Sequence, residues 1–211
     1  MPVIAVDGPA ASGKGTIARA LGRHFGLPHL DTGALYRTVA LSALKSGTDL
    51  DDAQALGLLA AALDLSLLED PALRDSATAD AASRVSAHAP VRAALLAFQR
   101  SFAAQPGGAV LDGRDIGSVI APDADAKLFV TAKPEVRARR RFLELESAGR
   151  NVCESTILAD IIARDARDMA RPDAPLVQTA DSDLLDTSNF SIGAAVQQAI
   201  DMVSARLGRT S

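Results

Sequence analysis

The chain, 211 residues long, reads as an α/β protein: a parallel sheet flanked by helices. Three observations predict this. A mostly β-branched apolar run at residues 3–6 leads straight into Gly8-Pro9-Ala10-Ala11-Ser12-Gly13-Lys14, which fits the phosphate-loop pattern G-x-x-x-x-G-K. Short apolar segments then alternate with helical ones, the pattern of a right-handed, doubly wound sheet of about five strands. Apolar residues make up 48% of the chain but aromatics only 3%, with no Trp. Such a core is built of Ala, Leu, Val and Ile, which suits helices packed on a parallel sheet.

The loop has a physical logic. It must curl its N–H groups around an oxyanion, and glycine serves where the chain takes positive φ or approaches the phosphate closely. The following helix brings the positive end of its dipole to the same spot. Lys14 adds a mobile cation for the β- and γ-phosphates. Thr16 and Ser12 offer hydroxyls to phosphate or to the water shell of Mg²⁺. The common pattern places Ser or Thr directly after the lysine; here Gly15 intervenes, as in nucleoside monophosphate kinases rather than GTPases.

The elements follow in order. Residues 14–25 form the first helix, with Ile17, Ala18, Leu21 and Phe25 at helical spacing, Gly26 as C-cap and Pro28 as stop. His29-Leu30 is a short strand. Asp31 or Thr32 caps the next helix, whose stripe is Leu35, Val39, Ala40 and Leu44 and whose end is Gly47. Residues 51–65 read as a Leu/Ala helix. Residues 66–76 are ambiguous: Leu67-Leu68 suits a strand remnant, and Asp70-Pro71 marks a turn. Residues 78–88 and 90–104 are two helices broken at Pro90. Strands follow at 109–111 and 127–130, then helices at 134–148 and 154–170. Leu184-Leu185 is the last strand, Thr187-Ser188-Asn189 a cap region, and 192–207 the closing helix. These pieces form a single domain. Its core is about 1–50, 106–133 and 172–211, its helical insertion about 51–105 and its lid about 139–155.

Charge and cysteine usage exclude several classes. A net charge of −4 argues against a general binder of nucleic acid or membrane surfaces. No N-terminal apolar h-region and no apolar run of about 18 residues appears, so neither export nor a membrane span is expected. The single cysteine, Cys153, fits a reducing compartment, so a cytoplasmic location is expected; a monomer is expected as well. His24, His29 and His88 show no metal spacing and no partnered carboxylate, and read as core or surface residues.

The loop implies ATP or GTP; the arginines constrain the acceptor. A hydroxyl acceptor needs an Asp to take or orient its proton. A phosphate acceptor is already an anion, and its difficulty is repulsion, which cations relieve. Of 22 basic residues only Lys14, Lys45, Lys127 and Lys133 are lysines. Arg37 follows the second strand and Arg114 the third. Arg164, Arg167 and Arg171 recur at three- and four-residue steps beside Asp168, on one helix face. Arg139, Arg140 and Arg141 are either a solvated helix face or lid arginines that meet the ATP phosphates on closure. Asp112 ends an apolar strand, and reads either as a turn cap or as a metal-shell residue acting through water.

Six segments together resemble the bacterial cytidylate kinase family over nearly the whole chain. They are AVDGPAASGKGT near the start, LDTGALYR at 30–37, ASRVSAHAPVRAAL at 82–95, LDGRDIGSVIAPDADAKLFV at 111–130, RRR at 139–141 and RDARDMARPDAPL at 164–176. The resemblance implies γ-phosphoryl transfer from ATP to CMP or dCMP with Mg²⁺. It implies ATP contacts at Gly8 to Thr16 and at Arg139, Arg140 and Arg141, and catalytic roles for Lys14, Arg114 and Arg171. Ser83, Arg92 and Asp115 resemble the cytosine-reading set. Asp115 would accept from the exocyclic amine and repel the oxygen of uracil. Arg37, Arg114 and Arg171 resemble monophosphate ligands, Arg164 and Asp168 the sugar pair, and Thr32 and Tyr36 the pocket lining. Thr16 and Asp112 would face the metal. The family's insertion usually includes a small antiparallel sheet; residues 66–77 are abbreviated here. The alternatives are a kinase for UMP or for a small hydroxyl metabolite, and a nucleotide-gated switch. The arginines and Asp115 oppose the first two. The absence of an N-K-x-D base-reading motif opposes the third.

Overall fold

A computed structural model of the chain describes residues 1–147 and 149–208. It divides into two compact units: residues 1–30 with the chain from Gln105 onward, and residues 31–104.

The first unit carries a five-stranded parallel sheet of order β2-β3-β1-β4-β5. Its strands are β1 (Val3–Asp7), β2 (His29–Asp31), β3 (Ala109–Gly113), β4 (Ala126–Thr131) and β5 (Asp183–Asp186). In the centre, Val6 is in register with Asp112 on β3 and with Leu128 on β4. The strands are thus the apolar runs read from the sequence, lengthened by the residue or two that close each ladder. On one face Ile4, Val6, Val110, Leu128 and Val130 pack against α1 (Lys14–Phe25) and α8 (Ile192–Leu207) through Ile17, Leu21, Ala199 and Val203. α1 ends at Gly26 in the left-handed region, φ 66°, as the sequence predicts. The buried apolar residues described include one aromatic, Tyr36, so the core is aliphatic as the composition requires. A smaller cluster joins α6 (Pro134–Ser147) to α7 (Glu154–Met169) through Ala138, Ile157 and Ile161.

The second unit is helical: α2 (Thr32–Ser46), α3 (Ala53–Ala61), α4 (Ser76–Val85) and α5 (Ala89–Ala103), with α2 against α4 and α3 against α5. Asp31 is the cap of α2, accepting from the Ala34 amide, and Asp52 caps α3. α2, counted with the core on sequence grounds, belongs to this helical unit.

Several local expectations are corrected. Leu67-Leu68 lies in a 3₁₀ turn, Leu65–Glu69, followed by a second, Pro71–Arg74. Asp64 and Asp70 cap these turns, and such side-chain bonds to nearby amides hold short turns where a strand would need a partner edge. Leu44 is 43% exposed; Leu41 and Ala43 take the buried side of α2. Ser191, rather than the 187–189 segment, caps α8. Arg171 lies beyond the end of α7 at Met169, so it does not share that helix's face. Ala148, assigned to the helix at 134–148, lies outside the described residues. Cys153 is exposed just before α7. Among the described residues no helix is long and apolar enough to cross a membrane.

Gly8 ties the sheet to the loop. A Cβ there would stand 2.0 Å from the Val130 carbonyl oxygen of the neighbouring strand. Gly8→Ala must push β1 and β4 apart and is expected to cost roughly 3 kcal/mol or more, at the upper end for overpacking a rigid site. Urea unfolding of the two proteins measures it.

Candidate functional site

The phosphate loop sits between β1 and α1. Left-handed backbone falls at Ala11, φ 58°, and at Gly13, φ 91°. One of its tight turns is therefore carried by an alanine, against the expectation that glycine takes such positions. The N-terminus of α1 receives no side-chain cap at Gly13 among the described residues. Ser12 is fully buried and its Oγ has no hydrogen-bond partner there. An orphaned buried hydroxyl is costly unless something else satisfies it, and a bound phosphate is the kind of group that would. Lys14 Nζ rests 3.3 Å from the Pro9 carbonyl oxygen.

The outer side of this loop is braced by residues that sequence reasoning missed. Thr187 Oγ1 donates to the Ser12 carbonyl. Arg137 Nη1 donates to the Ala10 carbonyl and Nε to Ala132. The same buried guanidinium makes a two-pronged pair with Asp165, at 3.2 and 2.5 Å. Arg137 and Asp165 are 28 positions apart, and neither the basic run nor the R-D-x-R-D spacing singles them out.

The three predicted lid arginines do not converge. Arg139 pairs with Glu154, Arg140 with the hydroxyl and carbonyl of Thr187, and Arg141 with Glu144.

At the ends of the central strands lie the remaining groups of this unit. The Asp112 carboxylate meets His29 Nε2 at 2.7 Å, so His29 does have a carboxylate partner. Its other oxygen would stand 3.6 Å from a Cβ at Gly15, which places it beside the first turn of α1 near Thr16. Among the described residues no three His, Cys, Asp or Glu side chains cluster to hold a metal. A divalent ion would have to arrive bound to phosphate oxygens and water. One buried carboxylate and one hydroxyl beside the phosphate loop suit that arrangement.

Arg114 Nε and Arg171 Nη2 both donate to Asp168, one to each oxygen. Asp168 has no exposed surface. Burial acts to raise its carboxyl, but Arg114 and Arg171, with Arg164 behind them, hold it below the usual carboxylate range. The structure thus sets Asp168 between two predicted phosphate ligands. Asp115, directly after Arg114, is 4% exposed. Asp7 at the end of β1 is also buried and bonds to the amides that follow Asp115.

In the helical unit, Asp31 accepts from Arg37 Nη2 at 2.8 Å while it caps α2. A Cβ at Gly33 would crowd both groups, at 3.1 and 3.2 Å, so a glycine there keeps room for the arginine. The Arg92 guanidinium lies 5.9 Å from the centre of the Tyr36 ring. Thr32 and Ser83 are both buried.

A phosphate loop at the end of the first strand of a parallel sheet, with paired arginines at the same edge, defines a P-loop phosphotransferase. A cytidylate kinase family model matches residues 4–205. The chain is 56% identical over 208 residues to a cytidylate kinase of Rhodopseudomonas palustris strain TIE-1, covering 98% of each. It is 57% identical over 204 residues to one of Xanthobacter autotrophicus, covering 97% of this chain and 98% of that one. The fold is also that of a gluconokinase structure from Sinorhizobium meliloti, with a TM-score of 0.57, 17% identity, and 99% and 94% of the two chains covered. The chain belongs to the cytidylate kinase family.

Two stability experiments follow from this geometry. Arg137→Met strands the Asp165 carboxylate and should cost about 3–5 kcal/mol in chemical denaturation; adding Asp165→Leu should recover part of the loss. The depressed Asp168 carboxyl contributes stability that is present above about pH 4 and lost as pH falls through its lower folded value. Unfolding of Asp168→Asn should accordingly show a flatter acid limb than wild type.

Proposed function

We infer that the chain transfers the γ-phosphoryl group of ATP to CMP or dCMP, giving ADP and CDP or dCDP. The observation that carries this reading is the family membership over nearly the full length, joined to a phosphate loop and an arginine-rich acceptor edge.

ATP is held by the loop from Gly8 to Thr16, whose amides and Lys14 face the β- and γ-phosphates. The buried hydroxyl of Ser12 finds its partner there. Thr16, and Asp112 through water, would hold Mg²⁺ carried in by the nucleotide, with His29 fixing the Asp112 carboxylate. The ion supplies charge neutralisation on the phosphate oxygens. By resemblance, the CMP ligands are Thr32, Tyr36, Arg37, Ser83, Arg92, Arg114, Asp115, Arg164, Asp168 and Arg171. Arg37, Arg114 and Arg171 neutralise the acceptor phosphate. Asp168 orients two of them, and by resemblance forms the sugar pair with Arg164. Asp115 accepts from the cytosine amine, with Ser83 and Arg92 donating to the carbonyl O2 and the ring nitrogen N3.

The chemistry is an in-line displacement. An oxygen of the CMP phosphate attacks the γ-phosphorus while the bond to the ADP oxygen breaks. No base is needed, since the nucleophile is already an anion, and no covalent enzyme intermediate forms. Arg139, Arg140 and Arg141 complete the cage only if they leave Glu154, Thr187 and Glu144. That exchange would couple closure to nucleotide binding and exclude water from the transfer.

Incubation with Mg-ATP and a panel of nucleoside monophosphates, following ADP release, tests the reading. CMP and dCMP should be phosphorylated, UMP and purine acceptors far less. Slow release that ignores the acceptor would instead mark a switch. Lys14→Ala should lower kcat by on the order of 10²-fold or more, as for loss of a transition-state charge ligand.

A further inference from the structure

The phosphoryl-transfer reading leaves Asp7 without a role, although its position is unusual. It is the last residue of β1, is 7% exposed, and its neighbours in the strand are apolar. A carboxylate at such a place is costly unless its oxygens are satisfied. Both are: Oδ1 accepts from the Ile116 amide and Oδ2 from the Gly117 amide, each at 2.8 Å. These are the two amides directly after Asp115. They open the π-helical turn Ile116–Ile120, to which Asp115 itself gives no side-chain cap. The cap comes instead from a residue 109 positions earlier. Two adjacent amides bonded to one carboxylate fix two successive peptide planes, and so fix the direction in which Asp115 leaves β3. Asp7 is also the residue before Gly8, where the phosphate loop begins.

We propose that Asp7 is a positioning residue for base selection: its carboxylate clamps the Ile116 and Gly117 amides so that Asp115 meets the exocyclic amine of a cytosine-type base. This rests on the reading of Asp115 given above. The same clamp keeps the base-reading turn in register with the phosphate loop one residue away, so the ends of donor and acceptor sites share one anchor.

The charged groups facing Asp7 come from each packed element. Burial raises its carboxyl and the two amides lower it. Asp115 raises it further, Lys14 on α1 lowers it, and the result is a carboxyl pushed up to about 7. From β4, the Lys127 stem packs within 3.1 Å of a Cβ position at Gly117, while its ammonium pairs with Asp181. Protonation turns one acceptor into a donor aimed at an N–H group, so the clamp is complete above neutrality and loosens below it.

The test is the ratio of kcat/KM for CMP to that for UMP, with Mg-ATP, from about pH 6 to about pH 8, in wild type and Asp7→Asn. Both acceptors carry the same phosphate, so its own titration cancels. The wild-type ratio should rise several-fold with pH. In Asp7→Asn the ratio should fall roughly tenfold and lose its pH dependence, while KM for ATP changes little, because one misdirected hydrogen bond to a base is worth about that much discrimination. A merely structural role would depress both substrates equally, and an unchanged ratio at every pH overturns the proposal. Should Asp7→Asn fail to fold by circular dichroism, a wild-type ratio that stays flat across the range overturns it instead. Asp115→Ala, measured alongside, separates the two readings. If its ratio collapses while that of Asp7→Asn does not, base reading by Asp115 stands and the role of Asp7 is lost; if its own ratio is unchanged, both are lost.

Discussion

The carboxyl end of β1 is the constraint on which the rest of the sheet unit depends. Within two residues the chain must finish a buried strand, satisfy a carboxylate, and turn against the backbone of its neighbour. Asp7 does the second by reaching across to the turn after β3. Gly8 does the third by carrying no side chain toward the Val130 carbonyl. Because β1 is central, paired with β3 on one side and β4 on the other, the position of its end sets the loop that follows and the turns at both neighbours.

From there the polar architecture is a set of buried charges, each answered by a distant partner. Arg137 answers Asp165 and braces the loop at Ala10. Asp168 answers Arg114 and Arg171 together. Asp112 answers His29. Buried ion pairs gain little net stability once desolvation is counted, so their use here is better understood as holding geometry. Two outlying arginines of α6, exposed Arg139 and half-buried Arg141, are different. Arg139 and Arg141 hold partners on exposed carboxylates, and such contacts are weak enough to exchange.

Much of this was legible beforehand. The strand, the loop and the helix that follows announce themselves because each rests on local physics: β-branched apolar residues, glycines, a lysine at the helix start, and a left-handed Gly26. The same holds for α8, whose limits are those read from the apolar spacing. The aliphatic core follows from a composition poor in aromatics. Where local signals conflicted, reading failed. Leu67-Leu68 has strand-like residues, but two aspartate-capped turns need no partner edge and prevail. The candidate site divides in the same way. Lys14, Arg114 and Asp115 stand beside strand ends and glycines that mark them. Arg137, Asp165 and Thr187 carry no such mark, and Asp7, although it ends β1 beside Gly8, shows its role only through the amides it touches.

The sequence by itself therefore determined the class of fold, the donor loop, the cationic character of the arginine-rich edge and the family. These follow from residue type, spacing and order. Only the tertiary structure decided which carboxylate serves which cation. It set Asp168 between Arg114 and Arg171, gave His29 to Asp112, and gave Asp7 to the turn that carries Asp115. The reason is physical. A buried charge must find its partner in space, and the parallel sheet brings together strand ends that lie a hundred residues apart.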